Sequence, residues 1–537
     1  MKKINKIVST TLALACLGSS ALLASCGKKK VADDEHTLEI FITNAGYGIE
    51  WLNQEIALFK EQPWVKEKYP NLNIPDVKYN SDSTYCGTSL TAGPTANTVD
   101  LFFTCTALGS YYNAKVDGKY AFEDLTSIYE STVPGESVKV KDKMIDMIYE
   151  EQEAFLLEDG SSVYYSLPWV MGAMGLFVNE TAIQEKLGAN VTLPRTTKEF
   201  VTMCTTLKGK GLAPIAVPLK SVYWETMFTS WWAQYEGLEN YKNYWNGIAE
   251  VDGVEKYSAQ IFSQTGRLRS LQTIESLIGR EAGFYHQDLN KGYDELQALF
   301  FTGEAGFMVN GDWVENETQS LTTDKISMMK TPVVSEIVET CTSIKTEEQL
   351  VFIIDCVDAD KSYETAAAEY NTRFSVELKK TDYEHIYEAR NLMNRIGGHT
   401  AHIPSYATGK NIAKDFLLFL STNQAIEKFT QVGNGFVTPY EYEYAEATFN
   451  TFSNLQKSHH NLLKTSVQMP HYSSFQMHYY GNLRYLNQTH GIEQSMLSQS
   501  ASDRKTAQQI FDIDKDYFQR DNEANFKTML ANANITT

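Results

Sequence analysis

From residue 38 onward, apolar and polar positions switch between a strand-like and a helix-like period. Residues 38–43 form a short apolar run of strand length, and the turn Asn44-Ala45-Gly46-Tyr47-Gly48 follows it. Residues 50–60 place Trp51, Ile56, Leu58 and Phe59 where one face of a helix would gather them. Residues 73–79 and 99–103 read as two more strands, the second apolar enough to be buried in a parallel sheet. Strand, helix and strand in this order predict an α/β lobe. The pattern restarts after Tyr164-Tyr165-Ser166-Leu167-Pro168, with a strand at 175–178. Leu193-Pro194-Arg195-Thr196-Thr197 then opens a helix capped by Thr196 or Thr197. Aromatic helices fill 221–299, and a strand at 307–310 ends in Gly311-Asp312-Trp313. Residues 335–395 contain neither glycine nor proline and read as a charged helical insertion. Strand character returns at Gly397-Gly398-His399-Thr400-Ala401-His402-Ile403-Pro404, an amphipathic helix covers 411–420, and the remainder reads mostly as helix.

The first residues change the picture. Lys2, Lys3 and Lys6 precede an apolar run over 7–23 and then Leu23-Ala24-Ser25-Cys26-Gly27. A basic start, a short apolar stretch and small residues before a cut mark a secretory signal. The cysteine at the cut resembles a bacterial lipobox, in which residues 1–25 are removed and Cys26 is lipidated, leaving 26–35 as a tether. Two acyl chains anchor stably where one is marginal. No later apolar stretch is long enough to span a bilayer, so the rest is expected to be soluble outside the cytoplasmic membrane. The 537 residues are 43% hydrophobic, enough for large cores, and carry a net charge of −20, which argues against a nucleic-acid partner.

Cofactor and metal signals are lacking. Beyond Cys16 and Cys26, the cysteines Cys86, Cys105, Cys204, Cys341 and Cys356 form no CxxC and no evident framework. Asp512, Asp514, Asp516 and Glu523 mimic a calcium-loop spacing, but Tyr517 stands where the turn needs glycine. His399 with His402, and His459 with His460, have no further ligands at zinc spacing, and phosphate-loop, nucleophile-elbow and zinc-protease motifs do not occur. Neither a cofactor nor a metal is expected. Paired catalytic carboxylates could be hidden among the 67 acidic residues, which keeps a surface glycoside hydrolase open as an alternative.

Four segments carry a family likeness: "EIFITNAGYGIEWL", "YYSLPWVMGAMGLFVNET", "LFFTGEAGFMVNGDWVENE" and "AHIPSYATGKNIAKDFLLFLST". With these, the chain resembles the extracellular solute-binding proteins of carbohydrate ABC importers, the group of the maltose-binding protein. The resemblance implies a two-lobed periplasmic-binding-protein-like fold (type II), each lobe a mainly parallel sheet with flanking helices, joined by a hinge. It places the first lobe at 36–168 and 333–437, with the 335–395 insertion in it, and the second at 169–332 and 438–537. It further implies a monomer that is no enzyme, holds a sugar or oligosaccharide between its lobes, and delivers it to membrane permease subunits. A binding protein for another solute, such as a peptide or polyamine, is the remaining alternative.

A hydroxyl-rich ligand needs flat apolar faces for its C–H surfaces and several hydrogen bonds, each netting only about 0.5–1.5 kcal/mol. Trp313 is the leading candidate, since it ends a strand, where α/β sheets present ligands; in the resembling family this tryptophan stacks on sugar. Asp312 would accept hydroxyls or cap the turn. Asn44 and Tyr47 lie where the family places polar contacts, followed by Glu50 and Trp51. The resemblance further marks Trp169 at the hinge, the Trp224–Glu225 pair, Thr104 at a strand end, and His399 after its glycines.

Overall fold

The computed structural model describes residues 35–537 except 151, 153, 219–222, 287, 319–320, 322–324, 396–397, 471–490, 521–522, 533–534 and 536–537. The signal sequence, Cys26 and the tether through residue 34 lie outside the described residues. Two sheets organise the chain. The first has β1 (Ile40–Thr43) flanked in parallel by β2 (Lys78–Asn80) and β3 (Leu101–Phe103). Every residue of β1 and β3 is buried, which is why both read as unbroken apolar runs. β4 (Leu167–Pro168) and β10 (Thr400–His402) complete it, β10 running antiparallel to both β3 and β4.

The second sheet is built on β5 (Ala173–Asn179). One edge of β5 pairs antiparallel with β7 (Ala305–Gly311), which is parallel to β6 (Ala213–Ala216). Its other edge is shared, antiparallel in both cases, by β8 (Ile326–Met329) and β9 (Leu392–Arg395), and β11 (Val467–Met469) runs parallel to β9. The expected parallel pairs are therefore present, and the strands that arrive from the opposite lobe add antiparallel ones.

Three passages join the lobes. The first runs from β4 to β5 through residues 169–172, and the second leads from β9 to β10. The third follows Tyr440, which belongs to the first core, and ends before the helix Asn454–Leu463, whose Ser458 hydroxyl accepts the Met328 amide at 2.8 Å. The expected boundary at 333 is corrected by the packing of 335–395. Helices Glu347–Asp358, Tyr363–Phe374 and Lys380–Asn391 share a core with Trp231 and Trp232 of the second lobe. The Trp231 indole donates to the Pro332 carbonyl at 2.9 Å, and the Gln234 amide donates to Ala389 O at 3.0 Å. The insertion thus extends the second lobe, and the return to the first comes only after Arg395.

Helix starts follow local chemistry. Thr196 caps Thr197–Gly209 by accepting the Glu199 amide, and Thr346 with Gln349 forms a capping box at the insertion's first helix. Asp514, one of the aspartates at calcium-loop spacing, sits instead in the helix Ala507–Gln519 and pairs with buried Arg267. Among the described residues the five cysteines are free thiols, no His/Cys/Asp/Glu group could hold a metal ion, and no helix is long and apolar enough to cross a membrane.

Candidate functional site

The ends of β1 and β7 point at each other across the lobe junction, and the glycines beside them decide how closely they meet. A Cβ on Gly46 would lie 2.0 Å from Trp313 Cδ1, and one on Gly311 would lie 2.1 Å from its Cη2. The indole occupies both places, so only glycine fits at either. Asn316 Nδ2 donates to Gly46 O at 2.7 Å and pins the same turn to the second lobe.

Tyr47 stands at the centre. Its ring meets Trp169 of the first passage at 5.6 Å, His399 of the second at 5.3 Å and Phe436, ahead of the third, at 4.9 Å, all edge-on, and it tilts against Trp313 at 5.7 Å. Its hydroxyl donates to Asp312 Oδ1 at 2.6 Å across the junction. Trp169 in turn stacks on Trp51 at 4.8 Å and donates its indole N–H to Thr104 O at 3.1 Å. Edge-on and offset ring contacts of this kind add about 0.5–1.5 kcal/mol each beyond buried area.

This knot is dry yet titratable. Burial pushes the Asp312 carboxyl up to about 7 against the pull of the Tyr47 hydroxyl. Burial, with the Arg395 charge nearby, lowers His399 to about 3. His459 approaches Asp312 at 3.5 Å, and burial lowers it also, so the imidazole is neutral beside the acid.

The structure brings Tyr47, Trp169, Asp312, Trp313 and His399 together, with Thr104 behind them. Asn44 and Glu50 are exposed on the same first turn and helix start, and Glu50 takes a hydrogen bond from Gln54. Two expectations need correction. Thr104 is buried with its hydroxyl directed at the carbonyls of Thr106, Gly398 and Thr400, which leaves it a structural role. Trp224 and Glu225 are 1% and 3% exposed, inside the second core against Trp231, rather than facing a ligand.

Their neighbour Tyr223, which the sequence reading missed, faces the junction. It meets Trp313 at 6.4 Å and Tyr293 at 4.7 Å, both edge-on, and both tyrosines are half-buried. The only sequence signal for Tyr223 was its place beside the flagged pair; nothing marked Tyr293. Glu317 and Asp294 lie near enough to raise the Tyr223 phenol, although burial is the larger cause. Glu317 accepts a hydrogen bond from Gln297 at 2.9 Å. The arrangement is an aromatic shelf with acids at its rim, set where two sheets meet, and among the described residues it holds no nucleophile paired to a base.

A sequence profile described as "Bacterial extracellular solute-binding protein" matches residues 45–337. Among solved structures, a chitin oligosaccharide binding protein is 14% identical with a TM-score of 0.58, covering 92% of this chain and 100% of its own. A probable secreted solute-binding lipoprotein from Streptomyces coelicolor is 11% identical, TM-score 0.55, covering 91% and 99%. The apo form of RafE from Streptococcus pneumoniae is 13% identical, TM-score 0.55, covering 94% and 100%. At these identities the likeness is one of fold. No curated protein sequence matches the chain.

Proposed function

This chain belongs to the bacterial extracellular solute-binding proteins, and from that premise we propose that it is the carbohydrate receptor of an ABC importer. Membership in a family of binding proteins sets aside the hydrolase alternative. The observation that carries the reading is the Trp313–Tyr223–Tyr293 shelf at the junction of two lobes linked by three passages. Solved structures of this fold are described as a chitin oligosaccharide binding protein and as part of xylan utilisation, which puts sugars first among candidate solutes.

Trp313 is only 9% exposed, so a sugar reaches its face when Gly46 and the first lobe behind it swing away about Tyr47. The ligand then lies on Trp313, Tyr223 and Tyr293, with Asn44 and Glu50 approaching from the first lobe. Closure follows because contacts from both sides exist only in the closed state, and a ligand shifts such an equilibrium by its differential affinity. Tyr47, Trp169 and His399 act as the pivot, and Asp312 locks Tyr47 to it. The closed monomer delivers its ligand to permease subunits while lipid on Cys26 holds it at the outer face of the membrane.

A thermal-shift screen against mono- and oligosaccharides tests this. Ligand at 100 times its dissociation constant should stabilise by about 2.7 kcal/mol. A panel of sugars that leaves the unfolding midpoint unmoved would refute the assignment. A second reading, a cationic solute such as a polyamine, draws on Glu317 and Asp294 beside Tyr223; a shift with polyamines and none with sugars would select it.

A further inference from the structure

Beneath the Trp51–Trp169 stack lies a small cavity lined by Trp51, Glu55, Leu167, Pro168, Trp169, Thr438 and Tyr440, among others. Four polar side chains meet there, and they come from two places. Trp51 and Glu55 belong to the first helix, Glu50–Glu61, while Thr438 and Tyr440 belong to the segment that enters the third passage. Trp51 is 2% exposed, Glu55 0%, and Thr438 and Tyr440 4% each. No group among the described residues completes a hydrogen bond to Trp51 Nε1, Thr438 Oγ1 or Tyr440 Oη, and the Glu55 carboxyl has only the Phe429 amide beside it. Buried polar atoms left so bear their full desolvation penalty, which a native fold does not sustain several times at one spot.

We propose that this cavity is a built site for one water molecule, hydrogen-bonded by Glu55, Trp51, Thr438 and Tyr440, which joins the first helix to the hinge. Size and polarity select the occupant. The cavity gives about 10 Å³ to the centre of a water-sized molecule, which is room for one water and nothing larger. Trp51 Nε1–H only donates, whereas the two hydroxyls and a protonated carboxyl both donate and accept. Water supplies two hydrogens and two lone pairs, which matches that inventory. A bare cation would face the Trp51 N–H dipole.

The charge at the site agrees. Burial pushes the Glu55 carboxyl up to about 9, while Lys428 and the Phe429 amide pull it back only in part, so the acid is neutral at pH 7 and supplies no counter-charge. The other titratable lining group, Tyr440, is raised by burial and stays neutral as well.

The position gives the water a role. Met171 of the first passage donates its amide to Val437 O at 2.9 Å, one residue before Thr438, and Ile145 N–H reaches Pro439 O at 3.1 Å. The water is therefore the remaining bond between the first helix and backbone that leads into the hinge. The site does not depend on which solute the cleft takes.

A crystal structure at about 1.5 Å, with a parallel rubidium soak, tests the site directly. One spherical peak with neighbours at hydrogen-bond distance (~2.7–3.2 Å) and no anomalous signal is expected. No peak, or an anomalous one, would overturn the proposal. Stability of Glu55→Met and Glu55→Gln gives a second test whose sign separates a wet from a dry cavity. If water is bound, the thioether strands the water's other partners and the unfolding midpoint at pH 7 falls by at least about 2 °C, while the glutamine variant stays near wild type. If the cavity is dry, methionine removes an unpaired buried acid, and a midpoint that rises or holds still rejects the site.

Discussion

Two aromatic clusters hold seven of the eight tryptophans of this chain. In the second lobe, Trp224, Trp231, Trp232 and Trp245 pack with Tyr241, Tyr244 and Phe262. There the Trp231 and Trp232 indoles donate to Pro332 O and Gln264 Oε1. At the junction, Trp51, Trp169 and Trp313 come from three separate segments; Trp169 and Trp313 flank Tyr47, Trp51 stacks on Trp169, and Asp312, His399 and Glu55 are buried nearby. Both clusters are aromatic and nearly dry. They differ in that the first pairs its buried charges, Arg267 with Asp514, whereas the second holds Glu55, Asp312 and His399 where burial favours their neutral forms. Concentrated aromatic content therefore marks packing as readily as it marks a site, and acids and imidazoles held between segments that change lobes are the better indicator.

The largest expected contrast is in stability. Trp231 is 0% exposed, and Trp231→Ala should cost about 3–5 kcal/mol in denaturant unfolding while the folded fraction keeps its ligand affinity within about twofold. A large loss of affinity in the folded fraction would erase the distinction between the clusters.

Acidity should separate them next, because the two carboxyls raised furthest lie at the junction. Glu55 is raised from 4.5 to about 9 and Asp312 from 3.8 to about 7. Folding therefore favours their protonated forms, and this contribution is full below about pH 4 and lost as pH rises through those values. Unfolding free energy should fall between pH 5 and pH 8 by an amount on the order of 3 kcal/mol, less than the full shifts imply because water screens the Glu55 site. Glu55→Gln and Asp312→Asn should each flatten the slope; an unchanged slope in both would place the pH dependence elsewhere.

A finer break is Gly46→Ala. The new methyl would take the place of Trp313 Cδ1, and the resulting shift should cost about 1–3 kcal/mol of stability or closure, read as a roughly tenfold weaker solute affinity. The smallest effect is that of Tyr47→Phe. Losing the hydrogen bond to Asp312 should cost about 1 kcal/mol in unfolding and leave affinity nearly unchanged, as befits a pivot; a large affinity loss would return Tyr47 to the ligand-binding set.

Much of the fold was legible because its signals are local. The buried strand β1, the Thr196 cap and the four segments of family likeness each lie within a few consecutive residues. The lobe boundary was not, because the insertion helices are amphipathic and their apolar faces suit either sheet. Contacts with residues distant in sequence, such as Gln234 to Ala389 and Leu238 to Glu388, settle where they dock. The sequence reading reached the junction where a strand end fixes direction, at Asp312 and Trp313. It failed by one residue at Trp224, the first residue of its helix. Successive helical residues point about 100° apart, so Tyr223 looks outward while Trp224 looks into the core. The Glu55 cavity had no sequence signal at all, since a glutamate on an amphipathic helix reads as solvated.

Isothermal calorimetry of wild type and Trp313→Ala against the best saccharide from the screen tests the junction most directly. The wild type should bind at micromolar affinity or better, about 8 kcal/mol, and the variant should lose at least a hundredfold while still unfolding cooperatively. Equal affinity in the two proteins would contradict a sugar site built on Trp313.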